Sequence, residues 1–457
     1  MKRSRLVALL VSFGIVLLLA HVAPAAEPQP TRVLAWLSAP AAAPAGSTVG
    51  IKALVINPSG EERTLTCEIA ATGLAVDPAA ARKQVWLGPR AILVTEFTAK
   101  AKKEGPAEIS LSVGGVRLDS RAVRVELPRK PTAASHVVIA GREDTTVKLP
   151  DPAGRYQIDV ELTLGPAGEL AATLDGLRSV SGFDTAALVA RGIIPAALSK
   201  ADKAARIPEL ELLATLQDSS GGWGAEPGAI PDSRSTSYVV FWLTQLGKAG
   251  VPVERKLLDP AVAYLRANLG KANLDMQARI LFALAAAGRA SDADFAAIRK
   301  ADPTELSRAG QLFLNCAGAF AAPAYESREF TVLELSLEVL AATGGVNARS
   351  EKSSPPADVL RRIASKRGAE PTFNTHEAAL YALALAKLAA LPQAKPAASV
   401  RVACDDRRLK TIDLDAKQPV VRFSVDVTTK AGDPGVLLFT SRSEQPVICR
   451  VLIRPAE

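Results

Sequence analysis

The feature that most constrains this chain is a double change of hydrophobic period. Between residues 168 and 392 alanine and leucine dominate and apolar residues recur at helical spacing, whereas on both sides the period falls to two. In the first flank, residues 28–127, Val49, Ile51, Ala53 and Val55 mark a strand that ends at Asn57-Pro58-Ser59-Gly60, and Leu65, Cys67 and Ile69 mark another beyond that turn. Val85-Trp86-Leu87, Ile92 to Phe97, Ala107 to Val113 and Val123 to Leu127 follow at short spacing, with Gly114-Gly115 as a hairpin turn. Regularly spaced short strands of this kind indicate a β-sandwich.

Residues 128–165 remain strand-like at Val137-Val138-Ile139 and at Tyr156, Ile158, Val160 and Leu162, interrupted by Pro150, Pro152 and Gly154. They read as part of a β unit that does not finish. Residues 397–457 return to strands at Val400–Val402, Thr411–Leu414, Val420–Val425, Gly435–Phe439 and Val447–Leu452. A segment this short is small for an independent domain. It is therefore expected to pair with 128–165, with the helical stretch inserted between them. The spacing predicts nine to eleven helices, roughly over 184–198, 206–217, 234–248, 256–269, 274–288, 292–300, 304–320, 328–343, 355–367 and 374–390. Tyr238, Trp242 and Leu246 step by four along one face, as a core-facing stripe does. Repeated helix pairs suggest an array closed into a toroid or left open as a solenoid.

The N-terminus has a different logic. Lys2, Arg3 and Arg5 precede the uncharged run Leu6–Ala20, and Ala23-Pro24-Ala25-Ala26 follows. That is the build of a secretory signal over residues 1–26, cleaved after Ala25 or Ala26. An uncleaved anchor stays open as the alternative, although the run is short of the roughly 20 residues that span a bilayer. The expected location is periplasmic or extracellular, with no membrane span after signal removal. The net charge of +8 becomes 8 − 3 = +5 without those three cations, and the basic residues are dispersed, which argues against a nucleic-acid partner. An exported protein can hold disulfides. Cys404 and Cys449 lie near the two ends of the last β segment and are candidates for a staple between its first and last strands; the other reading makes them buried apolar residues, as expected for Cys67 and Cys316.

The most informative stretch runs from Leu213 through Gln217 to Gly221-Gly222-Trp223-Gly224, followed by Asp232, Ser235-Thr236-Ser237-Tyr238-Val239 and Lys248-Ala249-Gly250-Val251-Pro252. A helix ends in Gln, a tight glycine turn follows, and Trp223 can fill the space between neighbouring helix pairs. At these residues the chain resembles the thioester domain of bacterial alpha-2-macroglobulins, in which a leucine-rich helix ends in Gln before a Gly-Gly-aromatic turn. Arg367-Gly368 and Phe373-Asn374-Thr375 echo a later pattern of that family. The resemblance implies a multidomain β plus α fold: a macroglobulin-type β-sandwich over 27–127, a CUB-like β-sandwich whose first part is 128–165 and second part 396–457, and an α/α toroid over 166–395 inserted between those parts. It covers about 28–457.

The departure from that family bears most on function. Members with chemistry carry Gly-Cys-x-Glu-Gln, where Cys and Gln form an internal thioester, ahead of a helix with Leu-Pro-Ala. Ile194-Pro195-Ala196-Ala197-Leu198 matches that helix, which places Thr185 at the thiol position, Ala187 at the acid and Leu188 at the glutamine. These degenerate positions imply no covalent capture. The sequence is also expected to lack the family's earlier macroglobulin domains, bait region and receptor-type domain. No catalytic set is expected: His136 and His376 read as structural, no zinc-ligand spacing is present, and Asp405-Asp406 precedes Arg407-Arg408 as a solvated turn. Gln-x-x-x-Gly-Gly-Trp also resembles terpene cyclases and prenyltransferases, but there is no Asp-x-Asp-Asp, and aromatics at 5 % are too few to line a carbocation pocket. The expectation is therefore a secreted, thioester-free protein that needs no cofactor or metal. It would bind a protein partner non-covalently, a protease or a companion macroglobulin chain, as part of endopeptidase inhibition. A structural or adhesive cell-envelope module is the alternative, and a cyclase-like enzyme the least favoured.

Overall fold

The computed structural model describes residues 32–127, 134–140, 144–151, 154–199, 206–296, 298–318, 331–343, 375–391, 397–405, 407–430, 435–441, 443 and 446–456. The signal segment 1–26, the helix expected over 355–367 and the motif residues Arg367, Gly368, Phe373 and Asn374 lie outside them.

The first β segment folds into two facing sheets. One has the order β1 (Leu34–Ser38), β3 (Thr48–Ile56), β7 (Ile92–Ala101), β5 (Leu74–Ala75). The other has the order β2 (Ala42–Pro44), β9 (Val116–Glu126), β8 (Gly105–Val113), β4 (Arg63–Thr72), β6 (Arg82–Leu87). Alternate residues face inward, so Leu37, Ile51, Ala53, Val55, Cys67, Phe97, Ile109 and Leu111 make a buried core, each contributing roughly 25 cal/mol per Å² removed from water. Gly114 and Gly115, both at positive φ, close the β8–β9 hairpin as expected for Gly-Gly. Asn57 is buried at the end of β3. Its amide donates to Glu61 O at 2.7 Å and Gly88 O at 2.9 Å, which ties two turns together.

The second β unit draws strands from both sides of the helical stretch. β10 (Ala134–Ala140), β11 (Thr145–Lys148) and β12 (Arg155–Leu164) precede the helices; β13 (Ala397–Cys404), β14 (Arg407–Asp415), β15 (Val420–Thr428), β16 (Val436–Ser441) and β17 (Val447–Pro455) follow them. The sheets run β10-β17-β12-β15 and β11-β16-β13-β14. Val160 of β12 sits between Phe423 of β15 and Val451 of β17, so this sheet interleaves strands of both segments, and in the other sheet β11 adds to an edge made by the later one. Cys404 and Cys449 stand as separate buried thiols. The disulfide considered for them is absent here: the two thiols contact Asp405 and the Val447 carbonyl respectively rather than each other.

Between these segments lie α1 (Gly165–Arg178), α2 (Thr185–Leu188), a π-turn (Val189–Ile193), α3 (Ile194–Leu198), α4 (Pro208–Leu216), α5 (Ser233–Lys248), α6 (Arg255–Leu269), α7 (Leu274–Ala286), α8 (Asp292–Ala296), α9 (Arg308–Cys316), α10 (Val332–Ala342) and α11 (Thr375–Ala390). Packing runs α3 to α5, α7, α9, α10, α11 and α1, and α1 packs back on α3 and the π-turn. The ring is closed, and the open-solenoid reading falls. Phe241, Phe282 and Phe313, one from each of α5, α7 and α9, form a run of ring contacts at 4.7 and 5.1 Å.

Three expectations need correction. The helix α1 was not anticipated: Gly165-Pro166-Ala167-Gly168 looks like a breaker, but Gly165 supplies positive φ and Pro166 sits in the first turn, where its missing N–H goes unused. The helix expected over 184–198 is interrupted. Pro195 has no N–H for the α register, and the Ile194 N–H reaches back five residues to the Val189 carbonyl, the signature of a π-turn. The helices expected over 292–300 and 304–320 shorten to α8 and α9, separated by 3₁₀ turns at Ile298–Lys300 and Pro303–Glu305. Asp302 and Ser307 organise that passage, Asp302 by accepting from Thr304 and Ser307 as the N-cap of α9.

Candidate functional site

The glycine-tryptophan turn is built as the sequence suggests. α4 ends at Gln217, whose amide donates to Gly221 O at 2.8 Å and Leu257 O at 2.9 Å, joining α4 to α6. Asp218 N–H donates to Gly222 O at 3.0 Å, and Gly221 N–H donates to Asp218 O at 2.8 Å. Gly221 has φ +90°, and a Cβ there would lie 2.4 Å from the Pro260 carbonyl oxygen. At Gly222 a Cβ would meet Pro231 at 2.8 Å. Trp223 is fully buried; its indole N–H donates to Leu213 O at 2.8 Å and its backbone N–H to Thr236 Oγ1 at 3.0 Å. Asp232 caps α5 by accepting from the Ser235 N–H and hydroxyl, both at 2.8 Å. Gln217, Gly221, Gly222 and Trp223 thus form one joint, and its chemistry is structural.

Thr185, Ala187 and Leu188, the positions that the resemblance aligns with the thioester residues, sit beside this joint. Asp184 caps α2, its carboxylate accepting from Ala187 N–H at 2.8 Å. Thr185 Oγ1 donates to Gly224 O at 2.6 Å, and Thr185 N–H donates to Ala225 O at 2.9 Å. Ala187 and Leu188 are buried among apolar neighbours. Among the described residues no thiol adjoins them: Cys67 lies in the first sandwich, Cys316 on α9, and Cys404 and Cys449 in the second sandwich. Burial pushes the Cys316 and Cys449 thiols up to about 12, the opposite of the depressed pKa that makes a thiolate nucleophile.

Tyr238 connects these positions to the ring interior. Its ring meets His376 edge-on with centroids 4.1 Å apart. Burial raises the Tyr238 phenol, and the Asp184 carboxylate adds to the effect. His376 is lowered to about 4, first by burial and then by the Arg279 and Arg234 guanidinium groups, with Asp232 opposing. The imidazole is therefore neutral near pH 7. His376 was read from the sequence as structural, and it packs on Tyr238 from the first turn of α11. His136 lies on β10, away from the ring. No group of three His, Cys, Asp or Glu among the described residues could hold a metal ion. No helix among them is long and apolar enough to cross a membrane.

Sequence reasoning missed one buried charge cluster. Glu169 on α1 is fully buried and meets Arg450 of β17; Tyr381 of α11 donates to Glu169 Oε1 at 2.8 Å, and Thr163 of β12 donates to Oε2 at 3.1 Å. Arg450 also pairs with Glu161 of β12 at 2.7 Å. Burial alone would lower the Arg450 guanidinium, but Glu169 and Glu161 reverse this and hold it above its ordinary value. The cluster joins ring to sandwich. Glu169 and Arg450 are 281 residues apart, and each reads locally as an ordinary surface charge.

No protein-family profile matches the sequence, and no curated protein matches it. Solved structures do match. Native Escherichia coli alpha-2-macroglobulin spanning domain MG7 to the C-terminus superposes with a TM-score of 0.51 at 15 % identity, covering 94 % of this chain and 75 % of that one. The native conformation of the same protein by electron microscopy gives a TM-score of 0.48 at 15 % identity, over 93 % of this chain and 30 % of that chain. Salmonella alpha-2-macroglobulin reacted with methylamine gives 0.46 at 16 % identity, over 93 % and 31 %. The chain thus spans under a third of those two longer chains. The fold is that of the C-terminal part of a bacterial alpha-2-macroglobulin: β-sandwich, then a helical ring set into a second, split sandwich.

Proposed function

With the C-terminal fold of a bacterial alpha-2-macroglobulin as the starting point, we propose that this chain is an exported, non-catalytic protein-binding module that works without a thioester. The observation that carries the reading is Thr185. A hydroxyl stands where the resemblance puts the thiol, it is spent on Gly224 O at 2.6 Å, and the neighbouring Leu188 has no side-chain carbonyl to supply an acyl group. Capture must then rest on non-covalent contact, either with a protease directly or through a companion macroglobulin chain. The proposal carries export from the signal-like N-terminus.

Two measurements test this. Intact mass after methylamine treatment should be unchanged; an adduct would show that a thioester exists. Sedimentation of the purified protein with an inhibitor-blocked serine protease, alone and with a macroglobulin chain, should show a complex that dissociates in denaturant. A folded protein with no complex in either mixture would return the chain to a scaffold role in the envelope.

A further inference from the structure

A cavity of about 70 Å³ lies between α5, α7, α9 and α11, walled by Tyr238, Phe241, Trp242, Phe282, Phe313 and Leu380. Arg234 and Arg279 also line the cavity, Arg234 exposed and Arg279 half-buried with its guanidinium 5.1 Å from the Phe313 ring centroid. Neither has an ion-pair partner among the described residues. One carboxylate, Glu377, shares the lining; nearby, Asp232 caps α5, and Asp275 accepts from Ser307 N–H and acts electrostatically on Arg279. At His376 the two arginines outweigh Asp232, so the local field is positive.

We infer that this cavity captures the C-terminal residue of a partner polypeptide. An apolar side chain enters the aromatic wall, and the chain-end carboxylate accepts from Arg234 and Arg279. Size decides against a free small molecule: ligand pockets run to about 300–1,000 Å³, whereas this one admits a single side chain, the scale of an interface anchor. The inference rests on the protein-binding reading and gives that reading a contact point.

Isothermal titration of the full chain with acetyl-Ala-Ala-Leu as free acid should give saturable binding, and the C-terminal amide should bind at least about tenfold more weakly. Arg234→Gln, at an exposed position that folding tolerates, should weaken the free acid about fivefold or more. Equal affinity for acid and amide, no heat with either, or an Arg234→Gln variant that binds as the parent does would overturn the inference. So would 4-methylpentanoate binding as tightly as the peptide, since the site would then be for a free carboxylate. If the peptide fails while a protease complex still forms, this inference falls and the protein-binding reading stands.

Discussion

Gly221 holds a conformation that a side chain would strain in two ways, through its φ of +90° and through a 2.4 Å approach to the Pro260 carbonyl. Gly221→Ala should therefore destabilise the ring by about 3 kcal/mol, seen as a fall in the midpoint of thermal or urea unfolding. His376 gives a second test at the same scale. Its folded pKa of about 4 lies below the ordinary imidazole value of 6.5, so the unfolded chain binds the proton first. Stability should be complete above pH 6.5, fall as pH drops toward 4 and level off below, a loss of about 3 kcal/mol from this group. Urea unfolding of the parent and of His376→Phe should differ in slope across that window. The glycine and tryptophan roles were legible in the sequence because their partners are near in the chain or demanded by the turn. The neutral His376 was not, since burial and two arginines from other helices set its state.

Among elements, the contact of α1 and α11 with β12 and β17 depends on Glu169 and Arg450. Arg450→Met should leave the Glu169 carboxylate buried without its cation and cost about 3–5 kcal/mol, while Glu169→Leu together with Arg450→Met should recover most of that loss. Urea titration of the two variants checks the difference; equal stability would mean that the pair is solvated. The elements that sequence reading placed best were those with a clear period, such as α5 and α7. It missed α1 because Gly165 and Pro166 look like punctuation, and it missed the π-turn because nothing local announces that the Pro195 register slips. β1, too short to show an alternation, was not recognised either.

Across the whole molecule, the order of textures was enough to anticipate a helical insert inside a split β unit, because a segment as short as 397–457 lacks a core of its own. Ring closure was only one of two readings of the helical period, and it is decided by α1 packing on α11. Removing 397–457 takes five of the eight strands of the second sandwich and leaves β12 with neither neighbour. That variant should elute as aggregate on size exclusion, because open strand edges template association; a monodisperse ring would contradict the interdependence described here. The same interleaving has a temporal side. β12 ends at Leu164, and its flanking strands begin only at Val420 and Val447, so a nascent chain must make the entire ring before that strand finds a neighbour. Maturation of this protein is thus timed by the arrival of its last strands, and until then β12 stands as a bare edge.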